Sequence, residues 1–333
     1  MRAVLLTGHG GYERLAVRDD VAVPAPGPGE VLLRVGAAGV NNTDVNTRVG
    51  WYSGGGWTGS FVFPRIQGID CCGTVVAGGD EVSAARIGER VLVETCWPDP
   101  SGAVDGVVFL GSEVDGAFAE YVAVPSTAAH RIDSAFTDVE LASFPCSWST
   151  AENLLTRSTV GAGDRVLVTG ASGGVGSAAV QLAAVRGAHV VAVAGAAKHA
   201  ELLEMGASEV VERDADLVER LGVGAVDVVI DVVGGDGWGR LLEVLRPHGR
   251  YAVSGAIGGP VVSLDLRTLY LKDLTLLGCT VLGRGVFAQL VRRIERGEVR
   301  PVVAATFPLE RIVEAQEHFL AKSHVGKIVL TLG

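Results

Sequence analysis

The stretch RVLVTGASGGVGSAAVQLA, at residues 165–183, constrains the fold more than any other part of the chain. It places a short aliphatic run, a turn with glycines at positions 170, 173 and 176, and an apolar helix-like run in immediate succession. Glycines at this spacing let the backbone approach a pyrophosphate, and the following helix offers free N–H groups and the positive end of its dipole. The stretch therefore predicts a nucleotide-binding strand, turn and helix, with a purely structural turn as the alternative.

Aliphatic runs recur around this stretch and alternate with helix-like segments. The strand-like runs are RVLVTG, AHVVAVAG, SEVVE, VDVVID and GRYAVSG, and the helix-like segments are VGSAAVQLAAVRG, KHAELLEMG and WGRLLEVLRPHG. Near-continuous aliphatic strands are typical of a parallel sheet covered on both faces, and each helical segment ends at a glycine suited to a helix C-terminus. We therefore predict a doubly wound α/β domain with DLTLLG, residues 273–278, as its edge strand.

The first 125 residues have a different pattern, because short alternating runs are separated by turns. The strand-like runs are RAVLL, EVLLRV, GTVVA, RVLVE and FAEYVAV, which indicate a β-rich domain. We expect the helix that ends near Gly297 and the closing strand KIVLTL to return to this domain. Within it, the segment at residues 51–63 combines glycines with five aromatic residues, which either contact a ligand from a loop or hold that loop against the core.

Composition narrows the class of protein. Of the 333 residues 48% are hydrophobic and 20% are charged, and the formal net charge is −10. This balance argues against nucleic acid or an anionic membrane as a partner and favours a small-molecule substrate. No run reaches the roughly 18 apolar residues of a membrane span, glycines interrupt the apolar start of the chain, and an odd number of cysteines favours reduced thiols. We therefore expect a cytoplasmic protein.

The end of the second predicted strand indicates which nucleotide is bound. An NAD site usually has an acidic residue there to bind the ribose 2′-hydroxyl, whereas this chain reads VVAVAGAAKHAELL with Lys198 just beyond the strand. A lysine can pair with a 2′-phosphate, so the sequence favours NADPH. The alternative is that Lys198 is an exposed residue in the first turn of a helix.

Taken together, these motifs resemble the medium-chain dehydrogenase/reductase superfamily, and within it the zinc-free quinone oxidoreductase branch. The resemblance runs through GVNNTD at 39–44, GIDCCGTVV at 68–76, DGAFAEYVAVP at 115–125, TGASGGVG at 169–176, VDVVIDVVGG at 226–235 and HVGKIVL at 324–330. It implies a GroES-like catalytic domain formed by residues 1–128 and 283–333, and a Rossmann cofactor domain at residues 129–282.

The resemblance also bears on metal binding. The catalytic zinc ligands of the zinc-dependent relatives match Asn41, Ile69 with Asp70, and Cys146, while Cys96 stands alone where those relatives have a four-cysteine structural site. Asn41 and Ile69 cannot replace a thiolate and an imidazole, so we expect no metal. A noncanonical zinc site built from Asp70, Cys146 and a neighbouring cysteine is the alternative.

Candidate catalytic residues follow from the same resemblance. The asparagine that matches Asn41 lies beside the nicotinamide in zinc-free relatives, Thr43 matches a proton-relaying hydroxyl, and Tyr52 matches a retained tyrosine. We take Asn41, Thr43 and Tyr52 as hydrogen-bond donors to the substrate; the alternatives are that they brace the loop, cap a helix and pack the loop, respectively. Asn46 departs from a tyrosine found in some quinone reductases, so contacts inferred from that tyrosine are not carried over.

The remaining candidates are cofactor-binding residues. Besides Asn41, they are Thr150, Gly170, Ser172, Gly173, Gly174, Val175, Gly176, Lys198, Arg213, Gly255, Ala256 and Lys327. Thr150 could instead cap a helix, Arg213 could be a surface residue, and Lys327 could be structural.

The sequence thus predicts an NADPH-dependent, zinc-independent reductase of quinones or α,β-unsaturated carbonyls. Two other functions stay open: a metal-independent carbonyl reductase or alcohol dehydrogenase, and a non-catalytic NADPH-binding protein. The apolar edge strand near residues 273–280 predicts a homodimer, as in family relatives.

Overall fold

The computed structural model describes residues 1–54, 61–99 and 106–332. The chain forms two compact units, one from residues 1–146, 291–296 and 300–333 and the other from residues 147–290 and 297–299. Part of the aromatic segment predicted at residues 51–63, namely residues 55–60, lies outside the described residues.

The first unit is built from mainly antiparallel sheets, with one parallel pair, β17 with β18. Its strands are β1 (Ala3–Leu6), β2 (Leu15–Arg18), β3 (Glu30–Val40), β4 (Arg65–Ile66), β5 (Cys72–Gly78), β6 (Arg90–Val93), β7 (Cys96–Pro98), β8 (Val107–Phe109), β9 (Tyr121–Pro125), β10 (Ala129–Arg131), β17 (Val303–Pro308) and β18 (Lys327–Thr331). The largest sheet has the order β10-β6-β5-β3-β18-β17, with β9 also paired to β3. Its helices are α1 (Asn42–Val49), α2 (Asp138–Leu141) and α10 (Ile312–Leu320).

Strand β3 organises this unit because it pairs with three others. Alternate apolar residues of β3 enter the core that also contains residues of β5, β9 and β18. The antiparallel pairing of β18 with β3 puts Ile328 opposite Val40, so that Lys327 lies beside the start of α1. The last strand of the chain thus returns to the first unit, as the sequence predicts, and there reaches the segment at residues 39–44.

The second unit contains one parallel sheet with helices. Its strands are β11 (Arg165–Val168), β12 (His189–Ala194), β13 (Glu209–Glu212), β14 (Val226–Asp231), β15 (Leu245–Val253) and β16 (Thr275–Gly278). Its helices are α3 (Pro145–Arg157), which begins two residues before this unit, α4 (Gly174–Val185), α5 (His199–Glu204), α6 (Leu217–Leu221), α7 (Trp238–Val244), α8 (Leu266–Leu271) and α9 (Val286–Glu295), which runs on into residues of the first unit.

The strand order β13-β12-β11-β14-β15-β16 is that of a doubly wound fold, and every pairing in it is parallel. The order reverses between β11 and β14, which makes their carboxyl ends the expected ligand-binding edge. Strands β11, β12 and β14 are almost entirely buried, as expected for a sheet covered on both faces. The predicted α/β fold, a Rossmann domain with a β-rich GroES-like domain, is therefore confirmed.

One helix boundary and both boundaries of the first unit differ from those expected from the sequence. The segment WGRLLEVLRPHG is helical only to Val244, and β15 begins at Leu245, because Pro247 cannot donate a helical hydrogen bond and the chain turns back into the sheet. The first unit extends to Cys146 rather than to residue 128, because β10 pairs with β6 and α2 packs on β3 and β5. Its C-terminal part begins at Val291 rather than at residue 283. In the part of the chain that the structure describes, no helix is long and apolar enough to span a membrane.

Candidate functional site

The glycine turn joins β11 to α4 in the second unit. Gly170 has a φ of +56°, which favours glycine, and a Cβ on Gly176 would lie 2.2 Å from the carbonyl oxygen of Gly170. By contrast, a Cβ on Gly173 would approach only that carbonyl oxygen, at 3.5 Å. The turn is therefore tightly packed at Gly170 and Gly176 and has space at Gly173. Gly173 directly precedes α4, which begins with Gly174, Val175 and Gly176. Such a turn fits the pyrophosphate of a dinucleotide.

Cationic side chains lie beside this turn, at the end of β12. The Nζ of Lys198 is 3.4 Å from Oγ of Ser172, which belongs to the glycine turn. Partial burial and, next, the positive charge of Arg213 lower the pKa of Lys198. The exposed Arg213 follows β13, and its Nη2 lies 3.7 Å from the position that a Cβ on Gly195 would take. Lys198, Ser172 and Arg213 thus form a polar, cationic group suited to an anion.

Carboxylates also lie near this group: Asp214 is 3.9 Å from Nε of Arg213, and Glu212 lies beside Gly195. Glu212 is the last residue of β13, and its Oε1 accepts a hydrogen bond of 3.2 Å from the backbone N–H of Arg213. Its Oε2 is 3.9 Å from Nε2 of His199. The acidic residue typical of an NAD site would instead follow β12, and Gly195 and Ala196 stand there.

The other predicted cofactor residues of this unit lie on α3 and after β15. Gly255 and Ala256 follow β15, and a Cβ on Gly255 would lie 3.0 Å from the carbonyl oxygen of Val232, in the turn after β14. They are therefore at the same carboxyl edge of the sheet as the glycine turn. Thr150 is half-buried in the interior of α3, so it does not cap that helix.

A buried ionic cluster forms where β18 meets the end of β3 in the first unit. Lys327 is 3% exposed and Asp70 is fully buried. The Nζ of Lys327 donates to the carbonyl oxygen of Val40 at 3.1 Å, to Oδ1 of Asn41 at 2.5 Å and to Oδ2 of Asp70 at 2.7 Å. An ammonium group has three hydrogens, so all of them are engaged inside the chain. The expectation that Lys327 binds the cofactor does not fit this arrangement.

The side-chain amide of Asn41 is also fully hydrogen-bonded within the chain. Its Nδ2 donates to Oδ2 of Asp70 at 2.8 Å and to the carbonyl oxygen of Gly39 at 3.2 Å, while its Oδ1 accepts from Lys327. Both amide hydrogens therefore have acceptors within the chain, and the predicted role of Asn41 as a donor to the substrate does not fit the structure.

Asp70 connects this cluster to the start of α3. Its Oδ1 accepts a hydrogen bond of 2.5 Å from the backbone N–H of Cys146, and its Oδ2 accepts from Lys327 and Asn41. A Cβ on Gly39 would lie 2.3 Å from Oδ2 of Asp70, so the carboxylate reaches the cluster only because residue 39 is glycine. Both carboxylate oxygens are thus engaged.

Asp44 closes the cluster on the side of α1. Its Oδ2 accepts a hydrogen bond of 2.7 Å from the backbone N–H of Asn41, the residue before the helix. Desolvation by burial raises the pKa of Asp44 to about 7, and the nearby charge of Asp70 acts in the same direction. Asp44 therefore fixes the first turn of α1, which carries Thr43.

The side chains at the matched zinc-ligand positions have contacts and surroundings that compete with metal binding. Asp70 is bonded to an ammonium group, Asn41 offers an amide that is already paired, and burial raises the pKa of the Cys146 thiol. Zinc needs deprotonated thiolates, neutral imidazoles or free carboxylates. No group of three or more His, Cys, Asp or Glu side chains among residues 1–54, 61–99 and 106–332 is placed to hold a metal ion.

Thr43, in the first turn of α1, and Tyr52, in the short helix that follows α1, carry the two predicted substrate-binding hydroxyl groups. Both side chains are half-buried, and neither hydroxyl has a hydrogen-bond partner among the described residues. The ring of Tyr52 meets that of Trp51 edge to face, with centroids 5.2 Å apart. Their roles stay predictions, but their hydroxyls are available, unlike the amide of Asn41.

Sequence reasoning did not assign a role to Asp231, Thr169 and Tyr251, which form a buried network behind the glycine turn. A signal was present, because Asp231 ends the otherwise aliphatic run VDVVID at the carboxyl edge of a buried parallel strand. A charge at that position requires partners.

Comparison with known proteins identifies relatives of both units. Residues 27–134 match the family model "Alcohol dehydrogenase GroES-like domain" and residues 174–296 match "Zinc-binding dehydrogenase". The chain is 30% identical over 346 residues to the human protein described as quinone oxidoreductase, covering 100% of this chain and 98% of that protein.

Solved structures of dehydrogenases are also similar to this chain over nearly its whole length. A structure described as a putative alcohol dehydrogenase from Sinorhizobium meliloti 1021 is 47% identical, with a TM-score of 0.94, covering 99% of this chain and 96% of that one. A cobalt- and zinc-bound thermostable alcohol dehydrogenase from Pyrobaculum aerophilum is 32% identical, with a TM-score of 0.88, covering 100% of this chain and 99% of that one. The relatives therefore include proteins named for quinone reduction and a metal-bound alcohol dehydrogenase.

Proposed function

Because the chain belongs to the medium-chain dehydrogenase/reductase superfamily, we propose that it reduces quinones or α,β-unsaturated carbonyls with NADPH and without a catalytic zinc ion. The chain is an oxidoreductase of this superfamily, whose members bind a nicotinamide cofactor. The nucleotide, the acceptor and the absence of zinc from the reaction are the proposed part.

The observation that carries the proposal is the contact between Lys327 and Asp70. A zinc ion at the matched ligand positions would lie near an ammonium group already bonded to Asp70, and like charges at such a distance repel strongly in a buried site. A bound metal ion can act as a Lewis acid that stabilises the alkoxide formed when a saturated carbonyl is reduced. The cluster therefore favours acceptors that distribute the negative charge themselves.

Quinones and α,β-unsaturated carbonyls are such acceptors. When bound, the cofactor supplies a hydride, which produces an enolate from an enone or a hydroquinone anion from a quinone. The hydroxyl of Thr43 or Tyr52 is free to donate a hydrogen bond to the oxygen on which the charge accumulates. One donor to an oxyanion contributes about 10²–10³ in rate in other enzymes.

NADPH is favoured over NADH by the group of Lys198, Ser172 and Arg213. Partial burial and then the charge of Arg213 lower the pKa of Lys198. A ribose 2′-phosphate beside β12 would meet the two cations and the hydroxyl of Ser172, and its negative charge would favour the charged form of Lys198. The residues after β12 also favour NADPH. Gly195 and Ala196 stand there, so no carboxylate at these positions would repel the 2′-phosphate.

The experiment that tests the proposal is a comparison of acceptors with metal-analysed protein. NADPH oxidation is followed with quinones, enones, saturated aldehydes and ketones, and NADH serves as the control nucleotide. We expect oxidation with quinones or enones only, and faster with NADPH. Turnover of saturated carbonyls would point to a carbonyl reductase or alcohol dehydrogenase, and tight NADPH binding without any turnover would point to a non-catalytic protein; stoichiometric zinc would contradict the metal-free site.

A homodimer through β16 completes the proposal. The strand ends the parallel sheet, and Leu276 on it is 37% exposed, while Leu271 on the neighbouring α8 is 71% exposed. An exposed apolar edge strand is suited to pairing with a second copy. Light scattering should give the mass of a dimer at micromolar concentration, and Leu276→Lys should shift it to the monomer; a monomeric wild-type protein would contradict the proposal.

A further inference from the structure

A fully buried carboxylate lies behind the proposed cofactor site and has no assigned role in it. Asp231 is the last residue of β14 and is 0% exposed. Its Oδ1 accepts from Oγ1 of Thr169 at 2.5 Å and from the backbone N–H of Val233 at 2.9 Å. Its Oδ2 accepts from the hydroxyl of Tyr251 at 2.6 Å, and both oxygens accept from the N–H of Gly234 at 3.2 Å.

These donors come from three different segments at the carboxyl edge of the sheet. Thr169 directly precedes Gly170 of the glycine turn, Val233 and Gly234 form the turn after β14, and Tyr251 is on β15. The hydroxyl of Thr169 also accepts a hydrogen bond of 3.1 Å from the N–H of Val232. Asp231 is therefore bonded, directly or through one hydroxyl, to every loop that starts at the switch point of this sheet.

The same loops are packed too tightly to move independently. A Cβ on Gly170 would lie 3.0 Å from Cγ2 of Val232, and a Cβ on Gly255 would lie 3.0 Å from the carbonyl oxygen of Val232. The N–H of Gly258 donates to the carbonyl oxygen of Val233 at 2.7 Å. A shift of the turn after β14 would therefore displace both the glycine turn and the backbone that follows β15.

The partners of Asp231 also set the hydrogen-bonding requirements of its side chain. All four are donors, and burial raises the pKa of the Tyr251 hydroxyl, which keeps it protonated. Among the described residues the carboxylate forms no salt bridge, so hydroxyl and N–H dipoles alone stabilise its charge. An amide in its place would direct an N–H group against at least one donor.

We propose that Asp231 is a positioning residue that fixes the glycine turn relative to the turn after β14 and thereby sets the affinity for the nicotinamide dinucleotide. The inference rests on the proposed function only in taking this edge of the sheet as the cofactor site. Asp231 acts through Thr169, Val233 and Gly234, and it does not itself touch the cofactor.

The test compares variants by dinucleotide affinity and thermal stability. Asp231→Asn and Thr169→Val remove the charge and the hydroxyl, and Thr169→Ser keeps the hydroxyl. The matched control is Asp164→Asn, at the opposite end of β11. Like Asp231, Asp164 accepts hydrogen bonds that hold a loop: from the N–H of Gly161 at 3.0 Å and from Arg250 at 2.8 Å. Titration of each purified variant with NADPH gives Kd, and thermal denaturation gives Tm.

We expect Kd to rise about tenfold for Thr169→Val, as the loss of one hydrogen bond worth about 1.4 kcal/mol implies, and at least as much for Asp231→Asn. Thr169→Ser should restore affinity to within about twofold, a margin of about 0.4 kcal/mol. The control Asp164→Asn should lower Tm without changing Kd. If Thr169→Val and Asp231→Asn instead lowered Tm like the control and left Kd unchanged, the role would be structural and the inference wrong.

The wild-type titration separates this inference from the proposed function. Tighter binding of NADH than of NADPH would contradict the proposed nucleotide, and the variants would then be compared by their Kd for NADH, which tests Asp231 equally. Absence of binding of either dinucleotide by the wild-type protein would overturn both.

Discussion

The Nζ of Lys327 lies 2.7 Å from Oδ2 of Asp70, and both side chains are shielded from solvent. The two residues are 257 positions apart, and each is also bonded to Asn41. The contact thus joins the last strand of the chain to the start of α1 and places a cation at the positions that match a zinc site in relatives.

The first prediction concerns the stability that this ion pair contributes. Lys327→Met should lower the free energy of unfolding by about 3–5 kcal/mol, because it leaves the buried charge of Asp70 without its partner. Removing both charges, in Lys327→Met with Asp70→Asn, should recover part of that loss. Urea denaturation measures both values.

An exposed pair is the control for this experiment. Arg311 and Glu314 form a solvent-exposed ion pair on the first unit, so Arg311→Met should have little effect. If Lys327→Met were no more destabilising than Arg311→Met, the ionic cluster would not stabilise this unit.

The second prediction concerns the pH dependence of stability. Burial raises the pKa of Asp44 to about 7, whereas an aspartate of the unfolded chain has a pKa of about 3.9. Between about pH 4 and pH 7, Asp44 holds a proton in the native state that it has lost in the unfolded chain. The contribution of Asp44 to the free energy of unfolding should therefore fall as the pH rises. Asp44→Asn should remove this contribution, as chemical denaturation at a series of pH values would measure.

Asp216 provides a control of opposite sign. It caps α6, and hydrogen bonds from the N–H groups of Glu219 and Val218 lower the pKa of Asp216. Its contribution should be present at neutral pH and disappear as the pH falls below about 4. A difference between the wild-type protein and Asp44→Asn that is constant from pH 4 to pH 7 would contradict the assignment of a raised pKa to Asp44.

The third prediction separates the two available hydroxyl groups. Thr43→Val or Tyr52→Phe should lower kcat by about 10²-fold if the missing hydroxyl stabilises the anionic product, with a smaller change in KM for the acceptor. Steady-state kinetics with a quinone or enone measure this. Tyr121→Phe removes a phenol hydroxyl on β9 as a control. Unchanged turnover in both variants would leave solvent or the cofactor ribose as the proton source.

The fourth prediction concerns the choice of nucleotide. Lys198→Ala should raise Kd for NADPH about tenfold while leaving Kd for NADH unchanged, because only NADPH presents a phosphate to the ammonium group. Titration with both nucleotides measures the ratio. Arg267→Ala on α8 is the control, since Arg267 is an exposed arginine paired with Asp265. Equal affinities of the wild-type protein for the two nucleotides would show that Lys198 is an ordinary surface residue.

The sequence alone determined the features that depend on neighbouring residues. The glycine spacing at 170–176 predicts the turn because Gly173 and Gly176 pack against the backbone of the turn itself, at the carbonyl oxygen of Gly170. The parallel sheet is predicted from its aliphatic runs, because each run shows by itself that its strand is buried on both faces. The position of Lys198 beside the glycine turn follows because it lies four residues beyond the run that forms β12.

Only the tertiary structure decided how the polar residues are used. Asn41 has the residue type of a donor, but the pairing of β18 with β3 brings Lys327 and Asp70 to its side chain and engages both amide hydrogens. Asp231 is likewise one acidic residue among many until the sheet order brings Thr169 and Tyr251 to its carboxylate. The physical reason is that a polar group acts only through hydrogen bonds left unfilled, and contacts between residues distant in sequence determine which ones those are.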